Sequence, residues 1–157
     1  MTTDDTSPAT IRIAAMNLLS MREHSALELY TKLSKKYPQV ELIKDAIARL
    51  TEDGLQSDVR FAEAFIGMRK RQGKGALIIA LELKERGVAA DTTNDLLQSD
   101  NHSWKLLAVA VRGKKFGQAM PENAKDKARQ MRFLAARGFS SSCIQYALKY
   151  TDFDHCD

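Results

Sequence analysis

The chain repeats itself at an interval of about 50 residues, and this constrains its architecture more than any other feature. MREHS at 21–25 is echoed by MRKRQ at 68–72, and that by VRGKK at 111–115. LKERGVAADTTNDLL at 83–97 aligns with LAARGFSSSCIQYAL at 134–148, matching the opening Leu, the Arg-Gly pair and the closing Leu. Leu33 and Ile47 stand 50 residues before Leu83 and Leu97. A unit of this length cannot bury much surface alone, so tandem copies must share contacts or remain marginal.

Punctuation divides each unit into three helices. Ser7 and Pro8 suit the opening of the first, since Pro at the first helical position sacrifices no needed amide. Ser25-Ala-Leu-Glu28 has the form of a capping box, and that helix should stop before Pro38. VELIKDAIARLTED ends at Gly54, and a helix opened by Ser57 or Asp58 runs to Gln72 with a stripe of Phe61, Phe65 and Met68. ALIIALELKER stops at Gly87, and Asp91 is expected to cap a short sixth helix through Leu97. The last three are expected at 103–116, 122–137 and 141–150, with TDFDHCD fraying. The predicted class is all-α: three tandem three-helix repeats at 8–54, 57–98 and 102–150, forming an elongated, curved body, with 151–157 as a tail.

Composition supports folding and narrows function. Apolar residues make up 44% and charged residues 28%, a globular balance. The longest apolar runs, Ala76–Leu81 and Leu106–Val111, fall far short of the roughly 20 residues a bilayer span needs. The acidic start MTTDDTSPAT is unlike a secretory signal, so a cytoplasmic protein is expected. Cys143 and Cys156 form no CxxC, and His24, His102 and His155 are scattered, so neither a disulfide framework nor a zinc site is indicated. His155 beside Cys156 is read as part of the frayed tail. No nucleophile elbow, Walker loop or HExxH occurs, which argues against an enzyme. GKG at 73–75 lacks the GxxxxGK[ST] frame of a phosphate loop and reads as a helix-helix turn. Phe61, Phe65, Trp104, Phe133, Phe139 and Tyr146 fall on apolar stripes or behind glycine stops and read as core.

Charge is segregated. The formal total is only +4, but residues 60–87 hold seven Lys/Arg against three acids and 104–138 hold nine against two, while the other stretches are net negative. Such basic blocks suit a polyanion or a nucleoprotein partner. Arg69, Lys70, Arg71 and Lys74 crowd a helix end, where cations also complement the C-terminal dipole. Lys125, Arg129 and Arg132 share one face of the eighth helix by their spacing, with Arg137 near its end. Glu82 and Glu85 flank Lys84 and Arg86 and are expected to form surface pairs with them.

From about residue 12 to 150 the chain resembles the RecX family. MREHSALELYTKL is similar to the family's R[ED]HSxxELxxKL; DVRFAEAFIGMRKRQGKG followed by ELKERGV is similar to its DxRFAxxFxxxRxxxGxG and ELxxKG; RFLAARGF follows in the third unit. The resemblance implies a RecA modulator that lies in the groove of the RecA filament on single-stranded DNA, with no cofactor, acting as a monomer in control of recombination and the SOS response. It would block filament extension and lower ATPase, strand-exchange and co-protease activities. Carried over residue by residue, it marks Arg22, Ser25 and Glu28 in the first unit. In the second it marks Asp58 as a cap, Phe61 as packing, Arg60 as available for contact, Gly73, Gly75 and Gly87 as turns, and Glu82 and Leu83 in the helix between; Gly138 is the matching turn of the third. Candidate contacts with RecA or DNA are Arg60, Arg69, Arg71, Lys74, Lys84, Arg86, Lys125, Arg129, Arg132 and Arg137. Three departures stand out: Gln56-Ser57 replaces a Leu-Asp type of step, and in GKGALII the family's Pro is Ala76 and its Arg is Ile78. The alternative reading is a direct DNA-binding regulator, since short three-helix units with basic helices resemble helix-turn-helix modules.

Overall fold

A computed structural model of the chain describes residues 6–151. The described residues form nine helices and no strand: α1 Pro8–Met21, α2 Ala26–Ser34, α3 Val40–Glu52, α4 Asp58–Arg71, α5 Ala76–Glu85, α6 Ala90–Gln98, α7 Asn101–Phe116, α8 Ala124–Ala136 and α9 Ser141–Ala147. All nine expected helices are present, with ends displaced by one to a few residues, as befits termini that fray. The expected fraying of the tail concerns 151–157, of which only Thr151 is described.

Local chemistry explains the starts. Ser7 Oγ accepts from the Thr10 amide, with Pro8 in the first turn of α1. Asp100, Asn123 and Ser140 cap α7, α8 and α9 in the same way, each side chain accepting the amide three residues on. These caps satisfy donors that have no partner inside the helix. Ser57 Oγ accepts from the Arg60 amide at the head of α4, so Ser57, not Asp58, is the cap there. Asp91 lies inside the first turn of α6 rather than before it, so it adds a favourable charge to that terminus without capping it. After α3, Gly54 adopts φ +76, letting the amides of Leu55 and Gln56 turn back to the Leu50 carbonyl.

The packing forms two compact units. The first comprises the described residues up to Ala64 together with Lys84–Ala89. Its core is Ile11 and Ala15 of α1, Leu29 and Leu33 of α2, and Ile43, Ala46, Ile47 and Leu50 of α3. Each fully buried Leu or Ile contributes about 1.5–3 kcal/mol relative to exposure. The second unit comprises Phe65–Leu83 and the described residues from Ala90 onward. There α7 packs on α8 and α9, burying Trp104, Ala108, Val109, Leu134, Phe139, Ile144 and Ala147. The Trp104 indole donates to the Leu97 carbonyl, so this large ring is buried without orphaning its N–H.

The buried stripe of α4 is Phe61, Ala62, Phe65 and Ile66. Met68, expected to complete the stripe, is 36% exposed: the buried face is centred between Phe61 and Ile66, and Met68 lies on the far side of Phe61, at the edge of that face. Phe133 and Tyr146 are half-buried rather than core, and each has a lysine over its ring.

Candidate functional site

The Arg-Glu-His-Ser motif before α2 is spent on structure. Arg22 forks onto Glu28, its two terminal nitrogens donating to the two carboxylate oxygens at 3.1 Å each. Glu28 in turn accepts from the Ser25 amide while Ser25 Oγ accepts from the Glu28 amide, the reciprocal capping box. Burial alone would raise the Glu28 pKa, but the hydrogen bonds from Arg22 and the Ser25 amide outweigh it and hold the carboxyl below its ordinary range. His24 is fully buried, with Nδ1 at 3.0 Å from the Arg22 carbonyl and Nε2 at 2.9 Å from Lys32 Nζ. An ammonium can only donate, so Nε2 accepts and Nδ1 carries the proton. Burial lowers the imidazole pKa, opposed by the Arg22 carbonyl and assisted by the charges of Arg22 and Lys32.

The same unit gathers the start of α4. Asp58 Oδ1 accepts the Ala26 amide at 2.9 Å and the Gln56 amide nitrogen at 2.9 Å. Asp58 therefore serves the N-terminus of α2 rather than its own helix. Gln56 is 2% exposed and saturated: it also donates to the His24 carbonyl and accepts from Thr51 Oγ1. Gln56-Ser57, standing where the family has a Leu-Asp type of step, thus supplies a buried polar bridge followed by a cap. Arg60, expected to be available, instead donates to Glu23 Oε1 at 3.1 Å and to the Gly54 carbonyl at 2.7 Å.

The repeat acquires a physical meaning at the two Arg-Gly turns. In the first unit Ser25 Oγ donates to the Arg86 carbonyl at 2.7 Å, and Gly87, at φ +81, lies so close to Leu27 that an added Cβ would meet it at 2.7 Å. In the second unit the Gly75 amide donates to the Arg137 carbonyl at 2.8 Å, the Leu77 amide donates to the Gly138 carbonyl at 3.0 Å, and Gly138, at φ +95, packs on Ile78. Residues 25 and 75, and 86 and 137, stand at the repeat offset. Each Arg-Gly turn docks on the N-terminal end of the preceding repeat's second helix. Gly75 is required for space, since a Cβ there would run into the Gly138 carbonyl. Ile78, in place of an arginine, supplies the apolar seat on which Gly138 rests.

Among the predicted contact cations the structure separates those already engaged from those left over. Arg69 pairs with Glu82 at 2.6 Å, both side chains largely covered, so Glu82 reaches back to α4. Arg129 pairs with Asp126 at 2.8 Å and lies over the Phe116 ring; the guanidinium bond leads the causes that depress the Asp126 pKa. Lys125 and Arg132 are exposed on the same helix as Arg129, and Lys84 is exposed on α5. Lys74 and Arg86 are half-buried, and the Arg86 carbonyl is committed to Ser25.

Arg71 and Arg137 converge with Lys70, Lys114 and Lys115 around a cleft of about 490 Å³ in the second unit. Lys114 and Lys115 did not stand out in the sequence, although they lie in the more basic block and in the VRGKK echo. Among the described residues no group of His, Cys, Asp or Glu could hold a metal, and no helix is long and apolar enough to cross a membrane.

Family models match the chain in three consecutive segments: RecX, first three-helix domain, over 12–50; RecX, second three-helix domain, over 57–97; and RecX, third three-helix domain, over 107–148. The chain is 38% identical over 144 residues to the regulatory protein RecX of Pseudomonas tolaasii, covering 92% of this chain and 93% of that one. It is 35% identical to that of Halorhodospira halophila, covering 92% and 89%. The fold is similar to the crystal structure of RecX from Lactobacillus salivarius, with TM-score 0.79 at 20% identity, covering 93% of this chain and 97% of that one.

Proposed function

The chain belongs to the RecX family of regulatory proteins, and on that premise we propose that it is a negative modulator of RecA. It binds the RecA filament on single-stranded DNA and restrains extension, ATP hydrolysis, strand exchange and co-protease activity. The observation carrying this reading is the 38% identity to a regulatory protein RecX along 92% of the chain. It acts in the cytoplasm as a monomer, with no cofactor and no reaction of its own, through repeats bounded at 8–54, 57–98 and 102–150.

The contacts are candidate cations that show no carboxylate bond among the described residues: Arg71, Lys84, Lys125, Arg132 and Arg137 come first, with Lys74 beside them, whereas Arg60, Arg69 and Arg129 already have carboxylate partners, and Arg86 stays a candidate by its position alone. Several weak contacts on one folded chain become effectively intramolecular once the first has formed, so the loss of single charges weakens binding gradually.

The test is the rate of ATP hydrolysis by the cognate RecA filament on single-stranded DNA as this protein is titrated in. A fall at substoichiometric regulator is expected. No change in hydrolysis, with filament assembly also unaffected, refutes the reading and favours selection of a duplex site.

A further inference from the structure

Besides the basic cleft, the second unit holds a groove of about 530 Å³ between α5, α6, α7 and the residues leading into α9. Its floor is apolar: Leu77 and Ala80 of α5, Leu97 of α6, Trp104 of α7, and Phe139. Leu77 is 56% exposed and Leu81, one turn on, 63%, so α5 keeps an aliphatic edge in solvent beside the groove. The rim is polar. α6 supplies Asn94 and Gln98 and α7 supplies Asn101 and Lys105, each pair one helical turn apart. None of the three carboxamides makes a side-chain hydrogen bond among the described residues. Lys105 is the only charged residue of the lining and has no carboxylate partner among the described residues; its ammonium lies 5.6 Å from the centre of the Tyr146 ring.

A lone carboxamide on a helix surface is ordinarily just solvated. Three of them and a single cation around an apolar floor define what fits between. A carboxamide both donates and accepts, as a peptide group does. One turn of helix rises about 6 Å, close to the roughly 6.6 Å after which an extended chain repeats, so each pair meets peptide groups of an extended segment nearly in register. The floor takes an apolar side chain of that segment. Lys105, half-buried beside the floor, attracts a carboxylate more strongly than it would in open solvent. A polyanion suits the groove poorly, since only one of its charges would find a partner.

We propose that this groove receives an extended segment of a partner protein. One apolar side chain of the segment rests on Leu77, Leu97 and Phe139, its main chain is hydrogen-bonded by Asn94, Gln98 and Asn101, and an Asp or Glu two residues from the apolar one meets Lys105. The two-residue spacing follows because alternate side chains of an extended chain share a face. This goes beyond the recombinase reading: no cation assigned to that contact lines the groove, and the test contains no recombinase, so either reading can fail without the other.

Trp104 is the single tryptophan of the chain and lines the groove, so its emission reports occupancy. The probes are the blocked peptide Ac-Gly-Ser-Leu-Ser-Asp-Gly-NH2, its reversed sequence, and versions of both with Asn or Lys in place of Asp, titrated into the full chain. One of the two Asp peptides is expected to change the emission saturably, with its Asn version about tenfold weaker. Lys105→Glu should reverse the preference from the Asp to the Lys version, whereas Lys44→Glu, at an exposed position of the first unit, should leave it unchanged. Asn94→Ala/Gln98→Ala, and N-methylation of the peptide backbone, should each weaken binding about tenfold, with circular dichroism of the variants unaltered. Lys105→Met, which keeps the aliphatic stem over Tyr146, should abolish the discrimination between Asp and Asn even if the reversed charge perturbs folding. No saturable change with either Asp peptide at millimolar concentration, or equal affinity for the Asp and Lys versions, overturns the site. Emission of the free chain that changes on dilution, with a dimer in sedimentation equilibrium that Lys105→Glu dissociates, gives the groove to a second copy and overturns the partner segment.

Discussion

The carboxylate of Asp58 caps a helix 32 residues earlier in the chain: its Oδ1 accepts the Ala26 amide at 2.9 Å, at the head of α2. The same oxygen accepts from Gln56, whose side chain also reaches the His24 carbonyl. An acidic residue at the start of one helix thereby fixes the start of another. Asp58→Ala removes the acceptor for an N-terminal helix amide and leaves a buried Gln56 donor short of a partner. It should cost about 1–2 kcal/mol. Urea unfolding monitored by circular dichroism measures it, and an unchanged midpoint would show that the bond is dispensable.

The docking of the Arg-Gly turns predicts an order of glycine substitutions. Gly138→Ala places a Cβ 2.8 Å from the Ile78 backbone nitrogen at φ +95, whereas Gly87→Ala, at φ +81, meets side-chain atoms of the exposed Leu27, Cβ and Cδ2, and no backbone atom, so the first turn of α2 must give way. Gly54→Ala, at φ +76 with open space around it, suffers the backbone penalty alone. Losses of roughly 2–4 kcal/mol for Gly138, less for Gly87, and about 1–2 kcal/mol for Gly54 are expected. Thermal unfolding ranks the three; Gly54 ranking worst would contradict the close approach at Gly138.

Acid should destabilise the first unit in two steps. The His24 pKa is lowered in the fold, so the unfolded chain takes up the proton first. Its contribution is fully present above the ordinary value of 6.5 and drains away as pH falls from there toward the folded value. Protonation puts a hydrogen on Nε2 facing the Lys32 ammonium. Glu28 acts lower: its pKa is also depressed, so its contribution holds above the ordinary 4.5 and is lost as pH drops below that. His24→Asn, which keeps a donor near the Arg22 carbonyl, should flatten the stability profile between pH 7 and pH 5 and leave the Glu28 phase. Should this variant keep the wild-type slope in that window, another group is responsible.

On α8, reversal of charge at Lys125 and Arg132 should weaken RecA inhibition without loss of helicity. Arg129 is left in place because its bond to Asp126 and its position over Phe116 stabilise the helix locally. Inhibition curves for ATP hydrolysis should shift to higher regulator concentration by about tenfold, the equivalent of about 1.4 kcal/mol. Full inhibition by the double variant removes this face from the mechanism.

What the sequence determined by itself is local. Capping residues, glycine stops and apolar periodicity are read over a few residues, and they placed all nine helices because each satisfies or terminates its own backbone hydrogen bonds. The 50-residue echo is legible for the same reason, and so are the two basic blocks.

Only the tertiary structure decided what those residues do. Asp58 reads as a local cap because nothing near it in sequence reveals that the Ala26 amide is within reach. Arg60 reads as available because Glu23 lies 37 residues away, and Arg69 as an open contact because its carboxylate partner sits on the next helix. The basic cleft was hidden for the converse reason. Lys70, Lys114 and Arg137 belong to three different helices, and charge spacing along a chain says nothing about which helix ends meet. Hydrogen bonds within a helix are fixed by sequence neighbours, but the pairing of charges is fixed by distance, and distance is set only once the helices have packed.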